Sequence, residues 1–507
     1  MRKQFGRLFL YIMMLVLMSN LTGCSEVETG INITDANTVS DSTSFDKSKP
    51  TGQGGLVWYM FGNRQEPDLS IVLDEVNKIL QDKINTTLDL QIFPTEDEYL
   101  QKVNTALASN DPPDIVFSSK GLVDYHANSK AGNFKKLDIY LLKYPTLNSI
   151  IDNKYLDYFR INGDLYGIPA MKKNAHNRGV MLREDLVHKY GMDLDQITTL
   201  ESLEPYLEII RENELQVIPL AVAGMDFSFG LIDWDFIIDE TVPGALYPDN
   251  SGDEIVNQFL APESIEYYKL MRRWSINGYM HKDAATMQNT LELLKSKMFF
   301  AAIHTLSPGK DAEISEHTGI GWVQVDMSEP VTTNEDILDA ILAIPSGSKN
   351  PDKAFLFIEL LYTDSDIKNL LDHGIENVHY TMVNENTISY PEPQDSGYKP
   401  GFGDRFGNMF LSYISDREDP LKYEKILEYN RKSKALHSLG FAFDHSDVEI
   451  QIRACGSVVS AYSSMLFTGS CDIDSTIEQF RKELRAAGVE DLLMEMQYQY
   501  DTWHSSR

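Results

Sequence analysis

The chain has 507 residues, 42% of them hydrophobic and 24% charged. That composition suits a folded protein of two or three lobes and excludes wholesale disorder and a multi-span membrane protein. Acidic residues outnumber basic ones 76 to 45, a formal net charge of −31, and a surface so acidic repels phosphate backbones, which argues against nucleic acid as a partner.

The first 23 residues read as a signal peptide. Arg2, Lys3 and Arg7 give a positive start, and Leu8 to Met18 is an almost wholly apolar run too short to span a bilayer comfortably. The segment closes on Leu21-Thr22-Gly23-Cys24, which resembles the lipobox of bacterial lipoproteins. The resemblance implies cleavage before Cys24, acylation of its thiol and a diacylglycerol anchor, since one acyl chain alone binds a membrane only marginally. Cleavage removes three basic residues and no acidic one, leaving about −34. Residues 24–53 are rich in Ser, Thr, Asp and Gly without apolar periodicity, so a flexible tether is expected. The body would then sit on the extracytoplasmic face of a cell membrane.

After the tether, residues 56–61 (LVWYMF) predict a buried strand. Leu69, Val72, Leu73, Val76, Ile79, Leu80 and Ile84 follow at helical spacing. Residues 88–93 alternate as a strand, 95–109 predict a helix, and Asp111-Pro112-Pro113 breaks the chain before the strand Asp114–Phe117. This strand–helix alternation with short connections predicts a parallel α/β sheet. Later strands are expected at 217–222, 299–304, 321–325 and 340–345, and helices at 263–274, 290–298 and 351–362. Two long helical stretches are expected between 446 and 500.

Enzyme signatures are missing. The chain has no H-E-x-x-H, G-x-S-x-G, C-x-x-C or P-loop motif. Gly401 to Gly407 spells G-x-G-x-x-x-G, one residue too long for a dinucleotide fingerprint and preceded by a Pro-rich loop. His373 with His379, and His437 with His445, are spaced too widely to share one helical turn as metal ligands. Asp249 to Glu254 lacks the glycine and bidentate glutamate of a calcium loop and reads as a solvated turn. Cys455 and Cys471 remain in the body, either as a disulfide or as two unpaired thiols.

Several segments resemble the carbohydrate-type family 1 of extracellular solute-binding lipoproteins of bacterial ABC importers. They are Asp111-Pro112-Pro113-Asp114-Ile115-Val116, Asn162 to Pro169 with Met181 to Leu186, and Ala343-Ile344-Pro345 with Asn350 to Ala354. Tyr390-Pro391-Glu392, Phe406-Gly407-Asn408, Leu439-Gly440-Phe441 and Phe443-Asp444 resemble the LipO lipoprotein group. The resemblance implies an α/β fold of the periplasmic-binding-protein-like type II: two α/β lobes joined by crossover strands, with extra C-terminal helices. Lobe one is expected over 54–168 and 296–340, lobe two over 169–295 and 341–507. It also implies a monomer in a Gram-positive bacterium that captures a carbohydrate, an oligosaccharide given the chain's length, and delivers it to ABC permease subunits. Neither catalysis, a cofactor nor a metal is implied.

Sugar sites pair aromatic faces with hydrogen-bonding groups in a concave cleft, which in open α/β sheets lies at the carboxyl ends of strands. On that rule the candidates are Phe61 and Asn63 after the first strand, Ser118, Ser119 and Lys120 after the third, Tyr166 and Lys172 at the crossover, and Asp226 in lobe two. Trp234, Trp274 and Trp322 are stacking candidates or core residues, and Arg405 and Asn408 lie in the irregular C-terminal segment. Lys172, Lys173, His176, Arg178 and Arg183 cluster within twelve residues. They form either a solvated edge or a cationic wall for a uronate oligosaccharide. A glycan-cleaving enzyme built on paired carboxylates is the rival class.

Overall fold

The computed structural model describes residues 55–62, 66–109, 111–224, 229–249, 252–391 and 397–506. Cys24, the signal peptide, the tether, Asn63 and Asp226 lie outside the described residues.

Strand β1 (Leu56–Phe61) turns Leu56, Trp58 and Met60 into the core by simple alternation. Helix α1 (Leu69–Ile84) buries Val72, Val76, Leu80 and Ile84, one stripe at helical spacing. Strand β2 (Leu88–Phe93) follows, then α2 (Glu96–Leu107). Thr95 Oγ1 accepts the Glu98 N–H at 3.3 Å, and Glu96, Asp97 and Glu98 place negative charge in the first turn of α2, where the helix dipole favours it. Strand β3 (Ile115–Ser118) completes a parallel trio in which β1 pairs with both β2 and β3.

The chain leaves this lobe through β4 (Gly167–Pro169). In the second lobe come β5 (Asn177–Arg183), β6 (Ile218–Ala221), helix α3 (Pro262–Ile276), β7 (Phe299–Leu306) and β8 (Trp322–Asp326). Return runs through β9 (Val331–Thr332) and the single turn α4 (Asn334–Ile337) to β10 (Ile341–Ala343). Helices α5 (Pro351–Thr363) and α6 (Ser365–His373) then pack on α1. After α7 (Lys422–Lys432) and β11 (Lys434–Ala435) the chain crosses again and ends in α8 (Glu449–Phe467), α9 (Ile473–Ala486) and α10 (Val489–His504).

The first sheet has the order β2-β1-β3-β10-β4 and the second β8-β5-β7-β6. Each lobe owns a hydrophobic core. Trp58 anchors the first, with Phe357 of α5 at 5.7 Å and Phe406 at 5.1 Å, both edge-on. The second core draws on residues 180–301 and again on 441–500.

This arrangement corrects the expected lobe limits. Residues 299–326, assigned to lobe one with 296–340, form β7 and β8, which pair with β5 in the second sheet. The stretch from 341 to 371, assigned to lobe two, carries β10 between β3 and β4, and α5 and α6 in the first core. Only residues from about 441 onward rejoin lobe two, so the second crossing falls between β8 and β10 and the third after β11, not near 296 and 341. The tail holds three helices, not two, because Gly488 at φ 86° separates α9 from α10.

Cys455 and Cys471 are both free thiols. Cys455 Sγ lies 3.8 Å from the Ala487 carbonyl and Cys471 Sγ 3.5 Å from the Met465 carbonyl. Ten residues of α8 separate Cys455 from Met465, about 15 Å of helix, far beyond the reach of a disulfide. A Cys24→Ser chain denatured without reductant is expected to yield two equivalents of reactive thiol. A yield near zero would mean the two are bonded.

Candidate functional site

Three chain segments meet between the lobes and bond to one another. His176 and Val331 exchange both backbone hydrogen bonds, at 3.0 and 2.8 Å, and β9 pairs in parallel with β11. The Asn430 side chain seals the first crossing, accepting from Asn174 N at 3.1 Å and donating to the Lys172 carbonyl at 2.8 Å. Gly407 locks the outer side: at φ 64° its carbonyl accepts from Met171 N, and a Cβ there would come within 2.4 Å of the Leu361 carbonyl.

Charged side chains fasten the same neck. Lys172, 5% exposed, donates to the Lys173 and Asp336 carbonyls at 2.9 and 3.0 Å and pairs with Asp339 at 2.9 Å. His176 Nδ1 lies 2.9 Å from both oxygens of Asp336, and its Nε2 is 3.4 Å from Asp233. Asp336 in turn accepts from Thr333 N at 2.9 Å, closing a capping box on α4. Arg178 Nε reaches Asp233 at 2.7 Å, and its Nη1 reaches Thr305 Oγ1 at 3.0 Å. Burial alone would lower the His176 pKa, but the Asp336 carboxylate and the bonds to Asp233 and Asp336 hold it at about 9. The imidazole is therefore a cation at neutral pH. Asp233 and Asp336 both lie below the usual carboxylate range: burial would raise them, but His176 and Arg178 outweigh it at Asp233, and His176 with the Thr333 hydrogen bonds outweighs it at Asp336.

Beside the neck a cavity of about 910 Å³ opens between the lobes. Ser119, Lys120, Asp124, His126 and Lys130 line it from lobe one, Asn334, Glu335 and Asp339 from the neck, and Asp239, Phe441, Phe443, Asp444, Ser446 and Glu449 among others from lobe two. Lys130 and Asp444 approach to 3.7 Å across its mouth, and Lys120 lies 3.7 Å from Glu335. The lining carries six carboxylates against two lysines. Burial pushes His126 down to about 4, so it adds no charge at neutral pH. Such a cleft offers mainly hydrogen-bond acceptors and invites a ligand rich in hydroxyl donors.

Among the described candidates, Ser119 and Lys120 line this cleft. Ser118 is buried, its hydroxyl spent on the Val123 carbonyl at 2.6 Å. Phe61 supports Arg405, whose guanidinium lies 4.9 Å over the ring and donates to the Phe61 carbonyl at 3.1 Å. Tyr166 is half-buried against the first core, and Asn408 is buried and caps the Phe410 N–H at 3.0 Å. Lys172 acts beneath the cleft by holding Asp339.

The three tryptophans are corrections to the stacking expectation. Trp234 and Trp274 are 1% and 0% exposed inside the second core. Trp322, 3% exposed, donates from Nε1 to Thr318 Oγ1 at 3.0 Å. None presents a ring face to the cleft. The cationic cluster is likewise neutralised: Lys172, His176, Arg178 and Arg183 each have a carboxylate partner, with Asp185 serving Arg183 at 2.7 Å. Lys173 instead meets Ser307 Oγ at 3.1 Å.

Sequence reasoning missed His126, Lys130, Asp239 and the run from Phe441 to Glu449. Leu439-Gly440-Phe441 and Phe443-Asp444 carry the family resemblance, but they follow no strand end, and the strand-end rule therefore does not select them.

Comparison with known proteins fits this geometry. The model of a family described as bacterial extracellular solute-binding protein matches residues 83–367, more than half the chain. A second model, described as a domain of unknown function, matches residues 437–505. A carbohydrate ABC transporter substrate-binding protein of Streptococcus pneumoniae is 25% identical over 87% of this chain and 89% of its own. The polygalacturonan/rhamnogalacturonan-binding protein YtcQ of Bacillus subtilis is 22% identical over 84% and 85%. Among solved structures, the N-glycan transport solute-binding protein NgtS of S. pneumoniae superposes with a TM-score of 0.81, at 24% identity, covering 89% of this chain and 99% of its own. An HMO-binding, ABC-transporter-associated solute-binding protein of Bifidobacterium longum infantis superposes at 0.66, with 16% identity and 89% and 100% coverage.

The neck yields a pH dependence. The folded pKa of His176, about 9, stands above its ordinary 6.5. Its contribution to stability is therefore complete below about 6.5 and is lost as pH rises through about 9. The difference in melting temperature between the natural chain and a His176→Gln variant is expected to shrink from pH 6 to pH 9.5. A difference that is constant with pH would show that the imidazolium charge contributes nothing.

Proposed function

Because this chain belongs to the bacterial extracellular solute-binding protein family, we propose that it captures a neutral oligosaccharide in the interlobe cleft and hands it to the permease of an ABC importer. The carrying observation is the cleft itself: both lobes wall it, and its lining has six carboxylates to two lysines. Sugar hydroxyls donate to carboxylates, whereas a uronate would meet like charge. A ligand that touches both walls favours the closed arrangement by its differential affinity, and closure is the state that a permease would read.

Relatives support a glycan without fixing its charge. NgtS structures are described in complex with Man1GlcNAc and with Man5GlcNAc, and YtcQ is named for acidic polysaccharides. The lining charge of this chain's cleft is what favours the neutral class. Delivery would start from a membrane anchor at Cys24, the chain acting as a monomer tethered through residues 24–53. Among the described residues no helix is long and apolar enough to cross a membrane. The ligand leaves chemically unchanged.

A thermal-shift panel of Man5GlcNAc, cellopentaose and trigalacturonate tests the reading, because a ligand of the native state raises the melting temperature by mass action. At least one neutral oligosaccharide is expected to raise it and to be recovered intact. A larger shift with trigalacturonate would overturn the neutral class. A hit returned as shorter sugars would overturn the binding-protein role.

A further inference from the structure

Residues 437–505 match a family model of unknown function, and the structure gives this unit two distinct parts. Three helices complete the second core. Ahead of them, residues 438–444 run along the cleft and are bolted in place at both ends. The Ser438 N–H and hydroxyl donate to Asp235 at 2.7 and 2.5 Å, while Asn334 donates to the Ser438 carbonyl and accepts from Gly440 N, both at 2.8 Å. At the far end the Gln499 amide of α10 bonds both the N–H and the carbonyl of Asp444 at 2.8 Å. Between them the Phe441 ring is wedged against Tyr500 and Trp503, at 5.7 and 5.3 Å.

These bonds occupy backbone groups and one ring, and they leave the Phe443 side chain half-buried in the cleft lining. Its inner side rests on the second core. No aromatic ring among the described residues packs on it. Asp444, Ser446 and Glu449 flank it with hydrogen-bonding groups, and Ser119 and Asp124 do so from lobe one. An apolar ring face ringed by acceptors matches a pyranose, which has a C–H face and a rim of hydroxyl donors. The other lining phenylalanine, Phe441, is only 5% exposed, and the tryptophans are sealed in the cores.

We propose that residues 437–505 form the glycan-selecting wall of the cleft, with the Phe443 ring as the platform that stacks on a pyranose and the three terminal helices as its rigid backing. The assignment rests on the carbohydrate reading above and adds the residue and the unit that carry it. Fixing the wall before ligand arrives removes an ordering cost from binding, which gives the helices a role in affinity although they lie behind the cleft.

Calorimetric titration of the full chain in detergent tests the assignment, using whichever of Man5GlcNAc, cellopentaose and trigalacturonate gives the natural chain its largest thermal shift. Phe443→Ala is expected to weaken binding about tenfold. Phe443→Trp should retain or tighten it, and neither should move the ligand-free melting temperature by more than a few degrees. Phe410→Ala, which removes a half-buried ring of lobe one outside the cleft lining, is expected to leave affinity unchanged. Equal affinity of the natural chain and Phe443→Ala would overturn the assignment and leave the carbohydrate reading standing. Failure of all three sugars to bind the natural chain would overturn both.

Discussion

Everything in this molecule hangs on a buried ionic knot where the chain passes between lobes. His176 belongs to the first crossing, Asp336 to the second, and Asp233 and Arg178 to the second lobe. Removing one partner would leave an uncompensated charge in a low-dielectric place, which costs far more than a lost surface pair. The backbone pairings around it set the spacing of the crossings, while the charges set their relative orientation.

The acidic overall charge and the acidic cleft have different origins. Most surface carboxylates face water and contribute to solubility. Those in the cleft are held there by structure: Asp339 is tied to Lys172, and Glu335 stands on the capped turn α4.

Much of the first lobe was legible from the sequence because its periodicities are clean. The alternation in 56–61 and the stripe from Leu69 to Ile84 each have one buried face, and each formed the expected element. Lobe membership was not legible, since β7 and β10 are short apolar runs of the same character and nothing local says which sheet each will join. The tryptophans misled for a related reason: a large ring fills a core as readily as it lines a cleft, and only tertiary neighbours decide. Lys172, His176 and Arg178 were noticed as a charge cluster, but their carboxylate partners at Asp233, Asp336 and Asp339 lie from 55 to 167 residues away. Phe443 went unmarked as a contact because an irregular segment carries no periodicity to interpret.

The three crossings also bear on how the chain matures. Neither core is encoded in one continuous stretch: the first needs residues from 56 to 171 and again from 337 to 439, and the second needs 180 to 301 and then 441 to 500. A chain emerging from its N-terminus can therefore close neither lobe early. The second lobe must wait for nearly the last residue, so the polypeptide stays loosely folded through most of its synthesis. That delay leaves the apolar faces of both lobes uncovered until their closing segments arrive, which is the state that chaperones bind.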